Sequence, residues 1–181
     1  DEQLIVYAEK IIDKRAEFVE KLNDICLSHG VSTSSIEIEI TESAAYESLD
    51  VLTAVFKQLK DYGFHISIDD FGSGYSSLNM LKDLPADVLK IDRAFLAESN
   101  SNKRANDILG YVIRMAGSLG MHTICEGIET DEQAKLLGGL GCEMAQGFYF
   151  AKPMPSDSFE EILRGNSKTI NIPSNDPEED K

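Results

Sequence analysis

Short apolar runs of four to six residues alternate with longer amphipathic stretches along most of this chain, and that rhythm constrains its fold more than any other feature. Residues 4–8, 36–40, 64–68, 87–91 and 121–125 read as strands, with a weaker one near 142–145. Residues 14–28, 48–62, 76–82, 102–119, 130–137 and 158–163 read as helices, and Thr130 with Gln133 three positions on forms a capping box for one of them. Alternating short strands and helices predict an α/β fold with a parallel sheet, whose commonest closed form is a TIM-like (β/α) barrel. The count reaches about six βα units, where a closed barrel has eight. Two units are expected to lie beyond the N-terminal side of this chain. Residues 1–164 are expected to form the domain. Residues 165–181, rich in Asn, Ser, Pro and acids, are expected to form a disordered tail.

Charge narrows the function. The chain carries 32 acidic against 17 basic residues, a net charge of −15. Long nucleic acids, whose binding depends on Lys and Arg neutralising phosphates, are therefore unsuitable partners. A small phosphorylated ligand remains compatible if cations screen the carboxylates. No apolar run is long enough for a membrane span, and Asp1 and Glu2 replace the basic flank of a signal peptide. Cys26, Cys125 and Cys142 offer no disulfide framework, which points to a reducing cytoplasm.

The ionisable residues gather at the carboxyl ends of successive strands. Glu39 and Glu42 end IEIEITES, Asp69 and Asp70 end HISIDD, Lys90 closes VLKID, Glu126 follows HTIC, and Gln146 follows the last strand. In a parallel barrel that end carries the active site. A single amphipathic edge strand explains Glu37 and Glu39 well enough by itself. Four strands bearing acids or Lys at one end call for cations. Hard carboxylate oxygens with an amide suit Mg²⁺ or Mn²⁺, the adjacent Asp69 and Asp70 suit a metal pair, and two such ions favour phosphodiester hydrolysis. Cys26-x-x-His29 and His122-x-x-Cys125 read as packing rather than zinc ligands. Gly72-Ser-Gly74 lacks the third glycine of a dinucleotide fingerprint and reads as a mobile loop.

Taken together, IEITES, DDFGSGYSSL, LKIDRAF, EGIET and QGFYFAKP resemble the signature motifs of the EAL family, in order and at family-like spacing. The resemblance implies an EAL-type barrel that hydrolyses cyclic di-GMP to linear pGpG with Mg²⁺ or Mn²⁺. It implies metal ligation by Glu39, Asp69, Asp70 and Glu126, with Asp69 bridging two ions. Lys90 would orient the attacking water, Glu126 would act as general base or hold that water, and Gln146, Glu129 and Lys152 would support the substrate. Glu42 would anchor the loop of Phe71, Gly72, Ser73, Gly74, Tyr75, Ser76 and Ser77, which closes over substrate and couples to a homodimer. The setting implied is a bacterial cytoplasm, within a larger multidomain signalling protein.

Departures from the pattern matter as well. The family's Glu-Ala-Leu strand does not occur in this chain, Tyr7 stands where an Asn ligand is usual, and Lys152 where an Arg is usual. The chain as given is accordingly expected to hydrolyse weakly. A degenerate EAL module that binds cyclic di-GMP or a protein without cleavage is the rival reading. An enolase-like barrel with Lys90 as base is a third, and the order of the motifs counts against it.

Overall fold

The computed structural model describes residues 15–47, 49–73, 78–97 and 102–165. Within them five strands, β1 (Glu37–Thr41), β2 (His65–Phe71), β3 (Val88–Ile91), β4 (His122–Cys125) and β5 (Met144–Ala145), lie in chain order and pair in parallel throughout. An open doubly wound sheet reverses its strand order at a switch point. This sheet does not, and it has the winding of a (β/α)-barrel wall. The strand expected at residues 4–8, with Tyr7, lies outside the described residues, as does the tail from residue 166.

Each strand leads into helix. Helix α1 (Arg15–His29) precedes β1, α2 (Glu42–Glu47) and α3 (Leu49–Asp61) follow it, and α4 (Leu78–Asp83) follows β2. Next come α5 (Ala94–Ala97) and α6 (Lys103–Ser118) after β3, α7 (Asp131–Leu140) after β4, and α8 (Ser156–Leu163) after β5. Leu52, Val55, Phe56 and Leu59 of α3 are buried at helical spacing, as are Val19, Leu22 and Cys26 of α1. They pack with Ile38 and Ile40, Ile66 and Ile68, and Leu89 and Ile91 in one apolar cluster. Each fully buried side chain of this size is worth about 1.5–3 kcal/mol. The other face of the sheet mixes polar Glu39, Ser67, Asp69 and Lys90 with apolar Val88 and Ile124.

Several boundaries differ from the sequence expectation for local reasons. Helices α2 and α5 were not expected, because elements of six and four residues show no periodicity. Strand β2 runs on through Asp69 and Asp70 to Phe71, since Thr41 pairs with Asp69 and Phe71 with Ile91 across a ladder irregularity. Asn102 caps α6 rather than opening it, accepting from the backbone N–H groups of Arg104 and Ala105. The capping box of Thr130 and Gln133 is present, and α7 continues past Leu137 to Leu140 before Gly141 ends it in a left-handed conformation.

At the amino ends of the strands, Asp87 joins two elements. Its Oδ2 accepts from the Ile66 N–H at 2.9 Å and its Oδ1 from Lys60 Nζ at 2.5 Å. His122, at the start of β4, pairs with Glu143 near the start of β5. In (β/α) barrels this end serves stability, and active sites sit at the opposite one.

Candidate active site

Strand pleat brings the charged residues to one place. Ile38 and Ile40 of β1 face the helices, so Glu39 between them faces the other side. Register carries that side across the sheet: Glu39 pairs with Ser67, two residues before Asp69, and Ser67 pairs with Val88, two residues before Lys90. Glu126 leaves β4 directly above Ile124, the partner of Lys90, and its N–H donates to the Ile91 carbonyl at 3.0 Å.

Three carboxylates meet on one ammonium. Lys90 Nζ lies 3.0 Å from Glu39 Oε1, 3.1 Å from Asp69 Oδ1 and 3.0 Å from Glu126 Oε1. Lys90 itself is 9% exposed. Burial favours its neutral form, but hydrogen bonds to Glu126 and Glu39 and the surrounding negative charge outweigh burial and push its pKa well above the ordinary lysine range. One cation against three carboxylates leaves an excess of negative charge. Asp70 registers it: desolvation first, then repulsion from Asp69 and Asp92, holds its carboxyl above the usual range.

Asp70 also has a left-handed backbone, φ 57°, a conformation that Asp tolerates better than most residues. The loop that follows is held from both sides. Gly72 N–H donates to Oε2 of the buried Glu42 at 2.8 Å. On the other side Phe95 stacks on Phe71, with ring centroids 6.4 Å apart. A Cβ on Gly72 would come within 1.6 Å of the Phe95 ring, so only glycine permits this approach. Phe71, Gly72 and Ser73 are thus placed beside the cluster, while Gly74, Tyr75, Ser76 and Ser77 lie outside the described residues.

Supporting residues stand further out. The turn after β5 lies against residues 126–129: Ile128 N–H donates to the Gln146 carbonyl and Tyr149 N–H to the Ile128 carbonyl. Gly147 makes this possible, since a Cβ there would lie 2.2 Å from the Ile128 backbone. Tyr149 Oη donates to Asp131 Oδ1 at 2.7 Å. Gln146, Glu129 and Lys152 share this end of the sheet. Among the described residues their side chains make no hydrogen bond or ion pair with the Lys90 cluster. Lys152 Nζ instead sits 5.7 Å from the centre of the Phe148 ring. Sequence reasoning missed Phe95 and Asp92. Only their place inside LKIDRAF hinted at them, and their contact with the loop is tertiary.

The donor set suits hard divalent cations. All its charged ligands are carboxylates, and Oε1 of the buried Glu42 beside them lacks a hydrogen-bond donor. Among the described residues no three acidic, Cys or His side chains are already closed into a metal-ligand group. Lys90 stands between the carboxylates, so coordination calls for side-chain rotation around a fixed backbone frame. Neither Cys/His pair comes together as ligands: Cys26 is buried on the inner face of α1 while His29 is exposed, and His122 lies on the opposite side of β4 from Cys125.

The family model for the EAL domain matches residues 10–153. Cyclic di-GMP phosphodiesterase NbdA of Pseudomonas aeruginosa is 37% identical over 150 residues, which cover 83% of this chain and 19% of that protein. The chain spans about a fifth of the length of the first curated relatives it matches. Among solved structures, the EAL domain of Mycobacterium smegmatis DcpA superposes with a TM-score of 0.80 at 37% identity, covering 89% of this chain and 71% of that one. A manganese and cyclic di-GMP complex of Klebsiella pneumoniae BlrP1 superposes with a TM-score of 0.71 at 32% identity, covering 75% and 34%.

Proposed function

The chain belongs to the EAL domain family, and on that premise we propose that it carries the site of a cyclic di-GMP phosphodiesterase, cutting one phosphodiester to give linear pGpG. The observation that carries this reading is the convergence of Glu39, Asp69 and Glu126 on Lys90 at the carboxyl ends of parallel strands. Glu39 and Asp69 would hold one divalent cation, Mg²⁺ or Mn²⁺, and Asp69 with Asp70 and Glu126 a second. Bound there, such ions polarise the phosphate and make water nucleophilic near neutral pH.

The protein's own groups do the rest. Lys90, fixed by its ion pairs, orients the incoming water and balances part of the charge. Glu126 accepts the proton of that water. Gln146, Glu129 and Lys152 hold the nucleotide at the rim, and Glu42 fixes the loop beginning at Phe71 that covers it. A homodimer inside a larger bacterial signalling protein of the cytoplasm is the setting this reading expects.

Tyr7, where the family has an Asn, favours a second reading: cyclic di-GMP is bound without being cut. The experiment is pGpG formation with Mg²⁺, with Mn²⁺ and with chelator, for the parent protein and for Glu126→Gln. Removing a general base lowers turnover by about 10²–10⁴-fold. Undiminished turnover by that variant rejects the assignment of Glu126. Tight binding of cyclic di-GMP with no pGpG under any condition selects the second reading.

A further inference from the structure

Cys125 and Cys142 meet sulfur to sulfur at 3.4 Å across β4 and the segment leading into β5. The site chemistry above uses neither thiol. Cys125 ends β4 and is wholly buried. Cys142 follows Gly141, outside any strand, and is only partly covered. The Cys142 sulfur is held in place by the Met144 carbonyl at 3.2 Å and the Thr123 hydroxyl at 3.7 Å. We propose that Cys125 and Cys142 form an oxidisable dithiol, a modification site at which peroxides convert the pair into a disulfide.

Geometry favours the step. A disulfide bond is about 2.05 Å long, so the sulfurs must close by little more than the length of a C–H bond. That movement can come from Cys142, which no strand ladder fixes. The two thiols also divide the roles. Cys142 is the one that solvent reaches, and its hydrogen bond with Cys125, then those with Thr123 and nearby backbone, draw its thiol below the ordinary cysteine value despite burial. Cys125, shielded, is the resolving partner.

The chemistry balances. The Cys142 thiolate attacks one peroxide oxygen and the O–O bond breaks. The departing hydroxide takes the thiol proton as water, leaving a sulfenic acid. The Cys125 sulfur then attacks the Cys142 sulfur, the S–O bond breaks, and a second water carries off the Cys125 proton. Both sulfurs are oxidised and the peroxide is reduced. The bond would close a loop over residues 126–141, tying the strand that delivers Glu126 to the segment that delivers Gln146.

Cys26 serves as an internal control, since it is buried, as Cys125 is, and has no sulfur neighbour among the described residues. The test treats the folded, reduced protein with limiting hydrogen peroxide and reads intact mass and digested peptides. The expected product is lighter by two hydrogens, carries a Cys125–Cys142 cross-linked peptide, keeps Cys26 alkylatable after denaturation, and reverts with dithiothreitol. Cys26→Ser should retain the reaction and Cys142→Ser should lose it. Three results overturn the proposal: Cys142 advancing to sulfinic acid with Cys125 still free, the same mass loss in Cys142→Ser, or a cross-link that forms only in urea.

Discussion

Replacing Lys90 by Met removes the one positive charge among Glu39, Asp69 and Glu126 and keeps much of the side-chain volume. Each carboxylate oxygen lies within 3.1 Å of Nζ, so the oxygens are at most about 6 Å from one another. At an effective dielectric of about 20, like charges that close repel by about 3 kcal/mol per pair. The variant can escape by binding a proton. Doing so at pH 7 costs about 1.4 kcal/mol for each unit above an ordinary carboxylate pKa near 4, or about 4 kcal/mol. The expected loss in the absence of divalent cations is therefore at most about 7 kcal/mol at pH 7, about 4 for one bound proton and about 3 for the single pair left charged, and it falls toward the roughly 3–5 kcal/mol of a broken buried pair as the side chains swing apart.

Its pH dependence identifies the cause. Carboxylates whose folded pKa is raised destabilise as pH rises, so the deficit should shrink by about 1.4 kcal/mol per unit as pH falls from 7 to 5.5. Lys90 in the parent protein has a folded pKa above its unfolded value of 10.5. Its contribution is fully present below that value and is lost only as pH rises through the raised one. It therefore adds no slope between pH 5 and 7. The chain has no Trp, so urea unfolding is followed by far-ultraviolet circular dichroism at several pH values. An equal deficit at pH 7 and pH 5.5 would refute the charge argument and leave lost packing as the cause. Mg²⁺ or Mn²⁺ should narrow the deficit at pH 7.

Two more outcomes follow from the loop and from the opposite end of the sheet. Gly72→Ala forces an L-residue to φ 95° and its Cβ into the Phe95 ring. It should cost more than the roughly 1–2 kcal/mol of a left-handed backbone alone. Adding Phe95→Leu should recover the steric part only, and urea midpoints equal to the parent for Gly72→Ala would contradict the observed approach. Hydrogen bonding to Glu143, and then its charge, raise the His122 pKa above the ordinary histidine value of 6.5. The associated stability is present below 6.5 and is lost as pH rises through the folded value. Proton NMR titration of His122 should show that raised midpoint and its return toward the ordinary value in Glu143→Gln. A midpoint unmoved by the substitution would show that the pair does not form in solution.

The sequence by itself determined the barrel wall and the end of it at which charge gathers. Strand and helix periods, the cap at Thr130 and the position of charge after each apolar run are local properties, and local physics writes them locally. It also placed Glu39, Asp69, Lys90 and Glu126 at corresponding positions on four strands. What it could not give is which of these groups touch. Three carboxylates fall on Lys90 because the registers of β1, β2, β3 and β4 set their heights, whereas Gln146 and Lys152 lie beyond the end of β5. The short helices α2 and α5 are too short to show a period, and the contacts they carry, Glu42 to Gly72 and Phe95 to Phe71, join partners 30 and 24 residues apart in sequence. Cys125 and Cys142 read as ordinary core residues until parallel pairing of β4 and β5 set their sulfurs against each other. Contacts between distant segments are decided by register and packing, and only the folded chain has those.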